Sequence, residues 1–312
     1  MKAASIKPVS KSNRIMRHII KDRHLLIILL PCIIFYAIFR YGPMFGIVMA
    51  FQKYGIYLGF LKSPWVGFEN FQKFFGGTDF LLLFKNTFLL GLYNLLWTFP
   101  FPVIFAIFLN EVRNDRFKKG IQTISYLPSF LSIVIVCSMV IDFLSPSHGI
   151  INTLISSLGF ERQYFMIKPE WFRTVYISSE IWSATGFGAI IYLASLSAID
   201  PTLYEAGKVD GCSRFRSIWH ITLPGIFPTI ATMFILRSGN TFRIGFEKVL
   251  LLYTPTTYKV ADVFSTYVYR KGLLESNYSY AAAVGFFESL VALILLLITN
   301  KISRKLSEQS LW

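Results

Sequence analysis

The chain has 312 residues, 54% of them hydrophobic and 17% aromatic, and only 15% carry charge. A soluble globular domain usually carries about a quarter charged residues, so this composition points to lipid. The net charge of +14 does not make it a nucleic-acid binder, because Lys and Arg cluster beside apolar blocks, as orientation signals do, and form no single face.

The basic N-terminal segment, residues 1–24, precedes the run LLIILLPCIIFYAIF (Leu25–Phe39). A signal peptide would be followed by a small-residue cleavage site, but RYGPMFGIVMAF follows here, so the run reads as an uncleaved first span. Crossing the hydrocarbon takes roughly 20 apolar residues, and six blocks qualify. They lie near Leu25–Ala50, Leu81–Leu109, Ile121–Leu144, Val175–Ala198, Leu223–Leu236 and Ala281–Thr299. Arg40 and Gly42-Pro43 interrupt the first, which predicts a helix end near Phe39 and an interfacial segment beyond it. The expected fold is therefore all-α: a six-helix membrane domain over 25–300 with a short tail, 301–312.

Basic residues set the orientation. They cluster before the first span, between the second and third (Arg113, Arg116, Lys118, Lys119) and in the tail (Lys301, Arg304, Lys305). Those segments, and both termini, are expected in the cytoplasm of a multi-pass plasma-membrane protein. The last outer loop, with Arg237, Arg243, Lys248, Lys259, Arg270 and Lys271, weakens the asymmetry.

The loop between the fourth and fifth blocks, 200–224, reads YEAGKVDGCSRFRSIWHITLPG from Tyr204 and is unusually polar. Asp200-Pro201-Thr202 starts a short helix that breaks at Gly211. Ser213 caps a second, RFRSIWH, expected to end before Leu223-Pro224. Phe215, Ile218 and Trp219 fall at i, i+3 and i+4 and make an apolar stripe flanked by Arg214 and Arg216. Such a knob either lies on lipid headgroups or docks into a groove of a soluble partner.

Here the sequence resembles the permease subunits of binding-protein-dependent ATP-binding-cassette importers (the type I importer fold). Their signature is E-A-A, three residues, G, nine residues, I-x-L-P. This chain has Glu205-Ala206-Gly207, Gly211 and Ile221-Thr222-Leu223-Pro224 at those spacings. Gly207 departs from the family's alanine, at roughly 1 kcal/mol of helix stability. The stretches FLNEVRNDRFKKGIQTISYLPSFLS, GIINTLISSLGF, SAIDPTLYEAGKVDG and ADVFSTYVYRKGL resemble the carbohydrate branch, and within it the lipoprotein-associated polysaccharide permeases of Gram-positive bacteria. The resemblance implies a coupling helix that docks on a partner ATPase, carried by Glu205, Ala206, Gly207, Asp210, Gly211, Arg214, Phe215, Ile218, Trp219, Ile221, Leu223 and Pro224. It also implies a second, homologous permease, two ATPase domains that bind ATP and Mg, an extracellular solute-binding lipoprotein and an oligosaccharide cargo. No cofactor is expected on this chain, which has no G-x-x-x-x-G-K-[ST] loop.

Polar groups within spans usually face the bundle interior or a water-filled cavity. Asn86, Tyr93 and Trp97 recur on one face of the second span, with Asn94 beside them. Glu180 and Trp182 lie in the fourth span, and Arg237 and Asn240 follow the fifth. These side chains suit a glycan path, by stacking and by hydrogen bonds to hydroxyls, and equally suit helix–helix packing. Catalysis and metal binding find little support. Asp142 and His148 read as loop polarity, and His18, His24, His148 and His220 have no ligand spacing, nor have Cys32, Cys137 and Cys212. A membrane-embedded glycan- or lipid-modifying enzyme would need a charged catalytic cluster, and an ion-coupled carrier buried ionisable residues near the midplane. Those remain the alternatives.

Overall fold

The computed structural model describes residues 23–239, 241 and 244–307, with side chains through 301. Asn240, Arg243 and the basic residues before Arg23 lie outside the described residues. The described chain is helical, and its one extended pairing is an isolated bridge between Gln52 and Trp65.

Four helices are long and apolar enough to cross a membrane: α1 (Arg23–Phe51), α3 (Asp79–Glu111), α9 (Arg214–Gly239) and α12, whose spanning part is Tyr278–Lys301. Between them lie α2 (Glu69–Gly76), α6 (Ile150–Ser157), α10 (Phe246–Leu252) and α11 (Phe264–Tyr269). Two bent pairs complete the bundle. In the first, α4 (Asp115–Phe130) meets α5 (Ile133–Phe143) at 107°; in the second, α7 (Pro169–Ser197) meets α8 (Pro201–Val209) at 70°. Counting each bent pair as one span gives six.

Three departures from the sequence reading have one physical theme. The first span does not end near Phe39, because helix continues through Pro43 to Phe51. The coupling helix does not stop before Leu223, because Arg214–Gly239 is one helix of 26 residues. In both cases, and at Pro100 in α3, a widened π-turn precedes the proline: Ala37–Tyr41, Asn94–Thr98 and Ile218–Thr222. A proline offers no N–H to the carbonyl four residues back, and its ring crowds that carbonyl. The wider turn moves the carbonyl aside, as when Leu223 N–H bonds Ile218 O, so the helix runs on. The third block fails the other way. Pro128 stands in a 3₁₀ turn, Leu127–Phe130, with no π-turn before it, and Ser132 caps a new helix through Ile135 N–H. The block Ile121–Leu144 is thus two helices at a sharp angle.

The core has a division along the bundle. Val103, Ala106 and Ile107 of α3 meet Ala189, Tyr192 and Leu196 of α7 and Ile226 of α9. Further along, Leu90 of α3, Val175 and Tyr176 of α7, Cys137 of α5 and Val249 of α10 form a second cluster. At the end away from α8, Phe74, Leu83, Phe264, Tyr267 and Val284 make an aromatic third. The helices α4 and α7 touch at Gly186, where a Cβ would come within 2.1 Å of Ser125 O. By contrast, the apolar side chains at 25–39 in α1 are exposed in the isolated chain. Surface of that character requires lipid or another subunit.

Candidate functional site

At one end of the bundle, α8 and the start of α9 form a knob. Asp200 Oδ1 accepts from Thr202 N–H (2.9 Å) and caps α8. This bond holds the Asp200 carboxyl below the usual carboxylate range. Gly211 turns the chain at φ 70°, a conformation that glycine adopts without strain. Cys212 N–H then bonds Gly207 O (2.8 Å), and Ser213 Oγ caps α9 through Arg216 N–H (3.4 Å). Tyr204 and Thr222 hydroxyls, 3.1 Å apart, tie the two helices together. Gly207 has a second role that its helix propensity does not suggest. A Cβ there would stand 3.1 Å from the Ile221 δ-methyl, so glycine lets α8 lie close on α9.

The predicted loop residues divide by exposure. Glu205, Ala206, Asp210, Gly211, Arg214, Phe215, Trp219 and Pro224 are exposed. Gly207, Ile218, Ile221 and Leu223 are half-buried, and Ile218 and Leu223 pack on the α3/α7/α9 core. Thus the stripe Phe215/Ile218/Trp219 splits. Ile218 anchors the knob, while Phe215 (72% exposed) and Trp219 (58%) meet edge to face at its surface. A cleft of about 250 Å³, bordered by Tyr204, Gly207 and Arg214, separates the knob from Asn110 and Glu111 at the end of α3.

Away from the knob, three cavities surround the π-turn of α3. One of about 360 Å³ is bordered by Asn94, Arg237 and Thr241. Another of about 420 Å³ is bordered by Asn94, Tyr176, Glu180, Glu247 and Lys248. The third, about 370 Å³, has Tyr93, Trp97, Arg173 and Ser178 in its wall. Tyr93 and Trp97 share one cavity wall, while Asn94, the first residue of the π-turn, borders the other two cavities. Arg237, on the last turn of α9, donates from Nη1 to Thr98 Oγ1 (3.1 Å), and Thr98 Oγ1 lies 2.5 Å from Asn94 Oδ1.

Asn86 does not share this surface. It is 1% exposed, and its Nδ2 donates to Lys259 O (3.2 Å) and Asp262 O (3.1 Å). Its Oδ1 accepts from Arg173 Nη2 (3.0 Å), so it fastens α3 to the segment before α11 and to α7. Nor does Trp182 border these three cavities; it packs on Phe143 with ring centres 6.4 Å apart.

Arg173 and Lys248 were not singled out by the sequence. Lys248 is buried, donates to Glu180 Oε2 at 2.6 Å and lies over the Tyr176 ring at 4.8 Å. One signal was available: its neighbour Glu247 cannot face it on a helix, so a lysine in the run FEKVLLL needs a distant partner. Likewise Arg270 pairs with Asp262, and Lys271 with Glu275. Three of the basic residues that blurred the charge asymmetry are therefore neutralised locally.

A bundle of up to six spans, with a capped knob at one end joined by a single helix to cavities at mid-bundle, defines a multi-pass membrane protein. Residues 84–308 match the family described as binding-protein-dependent transport system inner membrane component, and the chain belongs to that family. It is 44% identical over 302 residues to the polygalacturonan/rhamnogalacturonan transport system permease protein YteP of Bacillus subtilis, covering 97% of this chain and 94% of that one. Protein LplB of the same organism is 44% identical over 292 residues, covering 94% and 92%. Among solved structures, a chain of a bacterial ATP-binding-cassette transporter involved in import of the acidic polysaccharide alginate superposes with a TM-score of 0.87. The two share 46% identity, over 94% of this chain and 99% of that one. A second structure, of the alginate transporter with an alginate-pentasaccharide-bound periplasmic protein, gives 0.87 at 45% identity, over 96% and 100%.

Proposed function

We propose that this chain is a permease subunit that carries an oligosaccharide or glycan fragment inward across the plasma membrane. The cargo is delivered by an extracellular solute-binding lipoprotein, and ATP is hydrolysed on separate ATPase subunits. A second, related permease completes the pathway, and the termini and the knob face the cytoplasm. The transport name of YteP at 44% identity, and the alginate import named for the structural neighbour at 46%, support the carbohydrate class.

One observation carries the mechanism: the second helix of the knob and the fifth span are one continuous helix. A push on Phe215 and Trp219 acts on a rod of 26 residues, roughly 39 Å long, whose far end holds Arg237 against Thr98 beside the cavities. Closure of the ATPases thereby biases the bundle between inward- and outward-facing cavities, and a loaded binding protein biases it from the other side. Cavity side chains contribute by type: Tyr93 and Trp97 offer faces for sugar C–H groups, and Asn94, Glu180 and Arg237 offer polar groups for hydroxyls.

The test is ATP-dependent uptake, with ATPase co-purification, in Gly211→Pro and Glu205→Arg. Proline cannot adopt φ 70°, and Glu205 is exposed on the knob. Both variants are expected to insert normally and to lose coupling, while Gly211→Asn, which tolerates that φ, is expected to keep it. Normal uptake in both variants would remove the mechanical role of the knob. Single cysteines at Asn114 and Ser157 test orientation in a background without Cys32, Cys137 and Cys212. Only Ser157 should react with an impermeant thiol reagent outside sealed cells.

A further inference from the structure

The cavity between α3 and α7 holds a cation that has no carboxylate partner among the described residues. Arg173 borders it together with Tyr93 and Trp97. Among the described residues, Lys248 and Arg270 each have a carboxylate partner, but none of the ion pairs includes Arg173. Its Nη2 donates to Asn86 Oδ1, a neutral acceptor, and its Nε is shut from solvent without an acceptor. A guanidinium has five donors, and leaving them unmet beside low-dielectric walls is costly unless an anion comes and goes there. Asn86 is itself held by two backbone carbonyls, of Lys259 and Asp262, so the guanidinium is fixed in place without being neutralised.

Resting on the permease reading above, we infer that Arg173 receives a carboxylate of the solute, and that the cargo is a uronate-bearing oligosaccharide. Sugar rings lie against Tyr93 and Trp97, and the carboxylate takes charge-assisted hydrogen bonds from the guanidinium, with Asn86 as its positioning residue. A neutral glycan would satisfy the aromatic faces and leave the cation unmet.

The experiment compares ATP-dependent uptake of trigalacturonate and of its methyl ester by the assembled complex in phosphatidylcholine and in phosphatidylglycerol vesicles. The acid-to-ester ratio is read for wild type, Arg173→Gln and Arg173→Lys, so the binding protein's own preference is common to all and cancels. Wild type should prefer the acid. Arg173→Gln should lower the ratio at least tenfold with ester uptake preserved, and Arg173→Lys should restore much of it. An unchanged ratio in Arg173→Gln, with both solutes still carried, overturns the assignment and leaves the permease reading standing. An Arg173→Gln defect that appears only in phosphatidylglycerol, with the ratio unchanged, overturns it in favour of a lipid headgroup. Equal loss of both solutes with poor subunit recovery overturns it in favour of a packing role. Uptake of neither solute by wild type, with a neutral oligosaccharide still carried, overturns the uronate cargo and leaves the permease reading standing; uptake of none of the three overturns both readings.

Discussion

The knob and the α3 cavity face present aromatic side chains at helical spacing, yet their residues hold together in different ways. In the knob, the ties are short in sequence: Asp200 to Thr202, Ser213 to Arg216, and Tyr204 to Thr222 at 18 residues. On α3, Asn86 is fixed by partners 87, 173 and 176 residues away, and Arg237 reaches Thr98 across 139. Local capping and glycine chemistry therefore shape the first, and the packing of the whole bundle shapes the second. A stripe read from periodicity names a face. It does not say which member of the face a distant segment has already engaged.

Removing both exposed rings sharpens that contrast most. Buried aromatic anchors at interfaces commonly contribute about 2 kcal/mol each, so Phe215→Ala with Trp219→Ala, about 4 kcal/mol together, should weaken ATPase retention several hundred-fold. The bundle itself should stay intact, because Ile218, not these rings, packs on the core. Retention of the ATPase in the double variant, measured by co-purification, would break the proposed division between anchor and docking face.

Asn86→Ala probes the other side of the comparison. It strips a donor from two carbonyls and the acceptor from Arg173, and each buried group left unmet costs about 1–3 kcal/mol. Thermal unfolding in nanodiscs should show this loss. A stable variant would mean that the long-range ties do not hold the face. Smaller still is the effect of Tyr93→Ala or Trp97→Ala. Loss of one stacking ring is worth roughly 1 kcal/mol, about fivefold in uptake per assembled complex. If subunit assembly fails instead and uptake per complex is normal, those rings pack against the sister permease.

The same contrast explains what the sequence made legible. The helix break at Gly211, the caps at Asp200 and Ser213, and six apolar blocks follow from composition and local rules; the structure has the break and both caps, and renders the blocks as four long helices and two bent pairs. Proline misled in both directions. At Pro43 and Pro224 a π-turn ahead of the ring preserves the helix, whereas at Pro128 the helix breaks. Whether a turn widens depends on packing around the displaced carbonyl, which no local window contains. Glu180 was visible as a costly polar residue in a span, but its partner Lys248, 68 residues on, passed for an ordinary loop lysine. Arg173 was hidden for a related reason: nothing in its local sequence points to Asn86, 87 residues away, and only the fold brings the two together.

The central claim is that α9 moves as a rod between the knob and the cavities. Pulsed electron spin resonance on reconstituted complexes tests it, with one label pair at Arg216 and Leu236 within α9 and another at Leu236 and Leu96 between α9 and α3. The first pair should start at roughly 30 Å and keep its distance when ATP closes the ATPases, while the second should change. A change within the Arg216–Leu236 pair, with Leu236–Leu96 fixed, would place a hinge at Ile218–Thr222 and contradict the rod.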